Sequence, residues 1–436
     1  MDRRAFLKGA TVGGAGLLFL QNSSLAFGTE ANDKLNIAII GAAGQGGNNL
    51  GSVAKLGQNI VAICDVDDRG AAAENYAKYP KAKIFKDYRV MLDKMHNQID
   101  AITVGIPDHT HAPASIMAMQ MGKHVYCEKP LTHTLYEARM MRETANRYGV
   151  ATQMGNQGTA GDGFRTNVEI VRSGAIGDVR DVHIWSNRPI WPQGIGRPTE
   201  VMPVPKELDW NLWLGTAPKR PYNKAYLPNI WRGWLDYGTG ALGDMGCHTW
   251  NLAFMALDLR NPISVEAECW DRSKDGSTYP KRSIIRYVFG KRGNMPPVRF
   301  TWYDGGLKPS PDLIGVDKMP IEGCIMIGDK GTLCSWDAYV NARQLLPVEK
   351  FKDFKLPPQT LPRAPEGSHH LEWITACKGG PKPMSNFDYG SALTEMLLLG
   401  VLATNTGEKI YWDAENMKAI GCPKADEFIK TEYRKF

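Results

Sequence analysis

The sequence predicts an α/β protein: a doubly wound parallel sheet at the N-terminal end, then a second α/β domain with strands of an antiparallel sheet. Three observations carry this. A strand, a glycine-dense turn, a helix-compatible stretch and a second strand ending in an acid follow one another between Lys34 and Asp65. Helical and apolar stretches then alternate up to Met154. Beyond about Asn156 the composition turns to Trp, Tyr, Pro and Gly, and the apolar stretches take strand length.

The first unit is read in order. Ile37–Ile40 is an apolar strand that stops at Gly41, and Gly41-Ala-Ala-Gly-Gln-Gly46 is the turn. A helix runs from Asn48 to Leu56, and Ile60–Ile63 is a strand closed by Asp65. A dinucleotide needs this order: glycine lets the backbone approach a pyrophosphate, and the helix start offers free N–H groups. The acid after the second strand accepts from the ribose hydroxyls. Gly41 and Gly46 fit the first and last positions of G-x-G-x-x-G, Ala43 stands at the middle one, and Gly44 is shifted by one place.

Further units continue the pattern. Helices are expected at Arg69–Tyr79, Tyr88–Met95, Pro113–Met121 and Glu137–Tyr148, and strands at Ile99–Gly105, Lys123–Cys127 and Ala151–Met154. Ligands of such sheets lie at the carboxyl ends of the strands. That rule puts Gly41, Asp65, Pro107, His109, His111, Glu128, Lys129 and Gln153 along one edge. In the second domain Val179–Trp185, Ser264–Trp270, Ser283–Phe289, Val298–Trp302 and Gly323–Ile327 read as strands, and Ala392–Asn405 as a helix. The domain limits are 1–33 for a signal and linker, 34–155 for the dinucleotide domain and 156–436 for the substrate and association domain.

Composition excludes some classes. The 436 residues carry a net charge of +6, and +4 without residues 1–26, which hold Arg3, Arg4 and Lys8 against Asp2. The basic residues are scattered, so nucleic acid is not the expected partner. Arg3-Arg4-x-Phe6-Leu7-Lys8, an apolar stretch from Ala10 to Leu20 and Ser24-Leu-Ala26 read as a twin-arginine export signal. The expectation is a periplasmic protein without a membrane anchor in its mature form. None of the eight cysteines forms C-x-x-C, so no metal centre is expected. Cys324 and Cys334 flank a hairpin turn at Gly328–Gly331 and are expected as two reduced, half-buried thiols.

Three clusters bear chemistry. Lys129, after a strand, reads either as a solvated lysine or as a side chain that steers a substrate oxygen, with burial lowering its pKa. Asp244 and His248 lie four apart on one helical face, either as a cap and a packed histidine or as a proton-handling pair. His109 and His111 read as loop histidines lining the cofactor cleft rather than as metal ligands, and His369-His370 has no assigned place.

Gly41–Gly46, Cys64-Asp-Val-Asp67, Pro107-Asp-His-Thr-His111, Glu128-Lys-Pro130 and Asp244-x-x-x-His248 occur in that order at fitting distances. Together they resemble the glucose-fructose oxidoreductase, inositol dehydrogenase and rhizopine-catabolism (Gfo/Idh/MocA) family. Asp209–Gly215 and Trp231–Gly238 resemble its exported bacterial branch. The resemblance implies a Rossmann domain followed by a domain whose open, mostly antiparallel sheet mediates association into a dimer or tetramer. It implies a catalytic Lys129 with Asp244 and His248, a nicotinamide pocket shaped by Glu128 and Pro130, and a carbohydrate substrate. The departures are Ala43 and Asn251, the latter where many members carry Asp.

The candidate cofactor set is Gly41, Ala43, Gly44, Gln45, Gly46, Asp65, Arg69, Pro107, His109, His111, Glu128, Lys129, Pro130 and Gln157. The candidate substrate set is Lys129, Trp231, Arg232, Tyr237, Asp244 and His248, with Trp185, Trp191 and Trp234 as further stacking surfaces. Asp65 disfavours a 2′-phosphate, so NAD is expected, while Arg69 leaves NADP open. Three functions follow: hydride transfer on a sugar or glycoside, an NAD-dependent glycosidase, or a non-catalytic sugar-binding protein on the same scaffold.

Overall fold

β1 (Asn36–Ile40) is buried from its second residue onward, as a strand with parallel neighbours on both sides must be. The computed structural model describes residues 34–436, and the expected export signal lies outside the described residues. β2 (Asn59–Cys64), β3 (Lys83–Phe85), β4 (Ala101–Val104), β5 (His124–Glu128) and β6 (Thr152–Gly155) complete a six-stranded parallel sheet. Its order is β3-β2-β1-β4-β5-β6, so the chain reverses direction across the sheet at β1/β4. A crevice opens at such a reversal, beyond the carboxyl ends of the strands.

The helices on this sheet are α1 (Gly44–Lys55), α2 (Ala71–Lys78), α3 (Tyr88–Met95), α4 (Asp108–Gln120) and α5 (Leu135–Tyr148). α1 begins at Gly44, four residues before the expected start, so the second half of the glycine turn is already helix. α4 also starts early, at Asp108 rather than Pro113. Pro113 lacks an N–H for the His109 carbonyl, and the Thr216 hydroxyl donates to that carbonyl instead at 2.9 Å. α5 opens with a full capping box between Thr134 and Glu137.

Gly46 illustrates how tightly the turn is built. A Cβ there would lie 2.2 Å from the Gly41 carbonyl oxygen and 2.9 Å from that of Gly105. Helix, first strand and fourth strand therefore meet backbone to backbone. Gly46→Val is expected to lower the melting temperature and abolish dinucleotide binding; calorimetry with and without NADH checks this. A variant that melts and binds like the parent would contradict it.

The second sheet contains β7 (Val179–Trp185), β8 (Ser264–Trp270), β9 (Arg282–Phe289), β10 (Val298–Tyr303), β11 (Gly323–Gly328), β12 (Thr332–Ser335), β13 (Gln344–Leu346), β14 (Ile410–Asp413) and β15 (Lys418–Ile420). The order is β13-β12-β11-β7-β10-β9-β8-β14-β15. Only β7/β10 is a parallel pair. The expected hairpin joins β11 to β12, with Cys324 opposite Ser335 and Cys334 opposite Ile325. Both thiols are free and fully buried, not half-buried.

α6 (Asp162–Arg172), α7 (Trp210–Leu214), α8 (Gly240–Thr249), α9 (Asn251–Ala256), α10 (Val348–Phe351), α11 (His369–Cys377) and α12 (Phe387–Thr406) complete the main elements. α12 is apolar nearly all round and almost wholly buried, the mark of a core helix. It packs against α5 of the first sheet and α8 and β8 of the second, so both sheets share one core in the unit Asn36–Phe436. Among the described residues no helix is long and apolar enough to cross a membrane.

Candidate active site

The first part of the site is the α1 start. Ala43, in extended backbone, precedes the helix and caps it with no side chain. Gly44 has φ +52 and nothing within 4 Å of where a Cβ would be. Gly44 thus supplies the left-handed residue and the open approach, and Ala43 at the usual middle glycine position keeps an ordinary conformation. The free N–H groups of the first turn make an anion site.

Asp65 ends β2 as expected. Its Oδ2 accepts from the Ala42 N–H at 2.7 Å and its Oδ1 from the Asp67 N–H at 3.0 Å. Burial raises its pKa above the usual carboxylate value. Arg69 is held by Asp67 through two 2.7 Å hydrogen bonds, so its guanidinium is occupied by a carboxylate. These residues fit a dinucleotide: a bare turn and helix start for the pyrophosphate, and an acid at the end of the second strand, tied to the turn through the Ala42 N–H.

Pro107 precedes α4, whose first turn holds His109 and His111. Both are buried helix residues, not loop histidines facing the cleft. His109 places its ring nitrogens on the carbonyls of Tyr237 and Trp213, at 3.3 and 3.2 Å. His111 places its own on those of Pro130 and Ile106, at 2.9 and 2.7 Å. Both rings bridge backbone carbonyls, and His111 joins Pro130, the residue after Lys129, to Ile106 in the loop that follows β4. Among the described residues no cluster of three or more His, Cys, Asp or Glu suited to a metal gathers.

Glu128 closes β5 in a buried amide cage. Its carboxylate accepts from Asn49 at 2.9 Å, Gln157 at 3.1 Å and Gln45 at 3.3 Å. Burial raises its pKa. His370 meets Asn49 Oδ1 at 3.0 Å, which turns the Asn49 amide nitrogen toward Glu128. His369 meets the Tyr126 hydroxyl at 3.2 Å. Gln153 is fully buried and donates to the His369 carbonyl at 2.7 Å, so it supports this cage rather than the edge. The unassigned His369-His370 pair is thereby placed.

Lys129 follows. Its Nζ donates to the Asp244 main-chain oxygen at 2.8 Å and to Asp244 Oδ1 at 2.9 Å. Arg232 Nε donates to the same Oδ1 at 3.1 Å. Arg188 Nε lies 3.8 Å from Oδ2. Burial pulls the ammonium of Lys129 down, but the Asp244 carboxylate outweighs it, and the net direction is up. That corrects the expectation of a lysine lowered by burial. Burial likewise pushes Asp244 up, yet Lys129 and Arg232 outweigh it and hold it well below the usual carboxylate range.

His248, one turn beyond Asp244 on α8, is buried with Nδ1 unpartnered. Burial and the nearby Lys129 charge lower its pKa to about 3. Asn251 does not support it: its amide donates to Thr159 at 2.8 Å and its oxygen accepts from Tyr389 at 2.5 Å. The Tyr339 ring meets His248 edge-on, centroids 5.0 Å apart. Asp337 accepts from the Tyr339, Asn341 and Ala342 N–H groups and so shapes this loop.

The aromatic candidates separate. Trp185, Trp234 and Tyr237 are fully buried core residues and offer no stacking face. Tyr237 packs against Trp213 and Tyr226. Trp231 carries the Arg232 guanidinium on its ring at 4.4 Å. Tyr339, half exposed, is the aromatic that sequence reading missed; it sits in a loop with no periodicity to mark it. Asn49, Gly105 and Arg188 were missed as well. A separate cavity of about 280 Å³, lined in part by His109, Glu137, Asp236 and Tyr279, contains none of Lys129, Asp244 and His248.

A strand–turn–helix suited to a dinucleotide, with a lysine at the end of the fifth parallel strand that meets an aspartate–histidine helix of the second domain, defines a class of two-domain Rossmann proteins. Within it, residues 35–156 match the Gfo/Idh/MocA oxidoreductase family with its NAD-binding Rossmann fold. Residues 185–292 match that family's C-terminal alpha/beta domain. The two matches together span more than half of the chain, and the protein belongs to this family.

The chain is 35% identical to D-glucoside 3-dehydrogenase of Escherichia coli K12 over 120 residues, 26% of this chain and 32% of that protein. It is 27% identical to a glycosyl hydrolase family 109 protein of a Shewanella species over 208 residues, 41% of this chain and 44% of that one. Each match therefore spans less than half of the curated relative. An inositol dehydrogenase homolog from Azotobacter vinelandii, crystallised with NADH and myo-inositol, shares the fold at a TM-score of 0.59 and 16% identity. That match covers 87% of this chain and 98% of the other.

Proposed function

We propose that the protein is an NAD-dependent oxidoreductase that moves a hydride between a hydroxyl-bearing carbon of a carbohydrate and a tightly held nicotinamide cofactor. The observation that carries this is Lys129, an ammonium anchored on Asp244 one turn from His248, whose Nδ1 has no partner, and next in the chain to Glu128, which is bonded to the helix whose start is built for a pyrophosphate. NAD, when bound, supplies the hydride acceptor. Gly41, Ala43, Gly44, Gln45 and Gly46 would cradle it, Asp65 would hold its ribose, and Glu128 and Pro130 would border the nicotinamide. NAD is favoured over NADP because Asp65 repels a 2′-phosphate and Arg69 is engaged by Asp67.

Lys129 donates a hydrogen bond to the substrate oxygen and favours its negative charge as the carbon–hydrogen bond breaks. The hydroxyl proton passes to the neutral imidazole of His248. Asp244 fixes the ammonium. Because the His248 pKa lies near 3, the ring is neutral at every pH above about 4. The parent is therefore expected to show no inflection near 6.5 in its kcat–pH profile. His248→Asn is expected to lower kcat by about 10²-fold or more. A parental inflection near 6.5 that vanishes in the variant would contradict the lowered pKa, and a kcat equal to that of the parent would remove His248 from the reaction.

A second reading, a redox-neutral glycosidase, is favoured by the glycosyl hydrolase relative. In it, oxidation at C3 acidifies C2–H, the aglycone leaves, water adds and the ketone is reduced again. Cleavage without exchange of C2 deuterium into solvent would exclude it. Export by the twin-arginine route and periplasmic residence belong to the same proposal, as does association of like copies through the second sheet. A cofactor retained through the cycle suits a compartment without free NAD. Absorbance and mass analysis of what the denatured protein releases tests the whole reading: NAD is the expected product, and binding of sugar but not of added NAD would overturn it.

A further inference from the structure

We infer that the carbohydrate taken by this site carries an oxyanion, as a uronate carboxylate or a phosphate or sulfate ester, and that Arg188 and Arg232 hold it. The inference rests on the reading of the site as an oxidoreductase centre. Three cations converge on one carboxylate. Lys129 and Arg232 share Asp244 Oδ1, and Arg188 approaches Oδ2 only to 3.8 Å. Three positive charges thus meet a single negative one, and Arg188 stands outside hydrogen-bond distance of it.

The donors left over are specific. Arg188 Nε is buried with no hydrogen-bond partner, and Nη1 meets Asn187. Arg232 uses Nε on Asp244 and Nη1 on the Asn229 carbonyl at 3.3 Å. The remaining guanidinium hydrogens of both have no protein acceptor among the described residues. Each side chain is 25% exposed, so both reach solvent at the mouth of the site. Trp231 stacks under Arg232 and holds its plane, which leaves the fork edge to a bidentate acceptor.

Other acids do not fill that role. Glu128 is taken up by the amides of Asn49, Gln157 and Gln45. Asp108, raised to about 7 by burial, accepts from the Thr239 hydroxyl at 2.7 Å. Glu322 interacts with Arg188 but forms no ion pair with it, and burial raises its pKa. A neutral sugar would offer its hydroxyl oxygens as acceptors but no negative charge to balance the cations gathered there, whereas an oxyanion supplies both, and charge-assisted hydrogen bonds are the stronger kind.

The test is calorimetric titration of the full-length NAD-loaded protein with glucose, glucuronate, glucose 6-phosphate and glucose 6-sulfate, at low and high salt. At least one acidic sugar is expected to bind about ten-fold or more tightly than glucose, with the difference shrinking as salt rises. Which acid prevails separates a carboxylate from an ester. Arg188→Gln is expected to remove most of the preference and Arg188→Lys to retain part of it. Equal or tighter glucose binding, or an unchanged preference in a folded Arg188→Gln, overturns the inference. If NAD binds and no acidic sugar does, the inference falls and the dinucleotide reading stands. If NAD does not bind, both fall.

Discussion

Lys129→Met is expected to lower kcat by about 10²–10⁴-fold while the affinity for NADH stays close to that of the parent. The two readouts separate because the groups lie apart. The dinucleotide cradle is built by the β1–α1 turn and Asp65, whereas the Lys129 ammonium points to Asp244 on α8. Removing the ammonium takes away the donor to the substrate oxygen and leaves the cradle intact. Asp244 keeps Arg232 as a partner in the variant, so its charge does not become isolated.

Asp244→Asn supplies the complementary result. In the parent the Asp244 carboxylate overcomes burial and raises the Lys129 pKa. Without that charge, burial and the repulsion from Arg232 prevail, and the pKa falls. The ammonium then loses its proton at a lower pH, and the alkaline limb of the kcat–pH profile moves toward neutrality. Steady-state kinetics from pH 6 to 10 and NADH fluorescence titration check both variants. Equal turnover by Lys129→Met and parent would remove Lys129 from the reaction.

The turn, the acid and the Asp244–His248 spacing were legible because each obeys a local rule. A strand must end before a glycine turn, an acid must follow the second strand, and residues four apart share a helical face. The early start of α1 was not legible, because glycines in a first helical turn look like loop. His109 and His111 were misplaced for a related reason: Pro113 reads as a helix start, although Thr216, over a hundred residues away, makes an earlier start affordable. The short strands β3 and β12–β15 have too few residues to show alternation, and neighbouring strands hold them in place. His369 and His370 depended wholly on tertiary contact, since their partners Tyr126 and Asn49 lie on distant elements.

Arg165→Met is expected to cost about 3–5 kcal/mol of apparent stability, as breaking one side of a buried ion pair does. Arg165 on α6 is fully buried, and its guanidinium has a different partner at each nitrogen. Nη2 meets both carboxylate oxygens of Glu372, at 2.8 and 3.0 Å. Nε donates to the Thr159 carbonyl at 2.9 Å and Nη1 to that of Pro362 at 2.8 Å. The methionine leaves the Glu372 carboxylate and two carbonyls without donors. The loss reaches the site through α11, which carries both Glu372 and His370. A loosened α11 releases Asn49, and with it the orientation of the amide that holds Glu128. NADH affinity is therefore expected to fall together with stability, unlike in Lys129→Met. Adding Glu372→Leu removes the stranded charge and should restore part of the stability, because an apolar pair replaces a broken ionic one. Urea titration followed by tryptophan fluorescence measures the series. A single variant as stable as the parent, or a double variant weaker than the single one, would show that the pair does not clamp these helices.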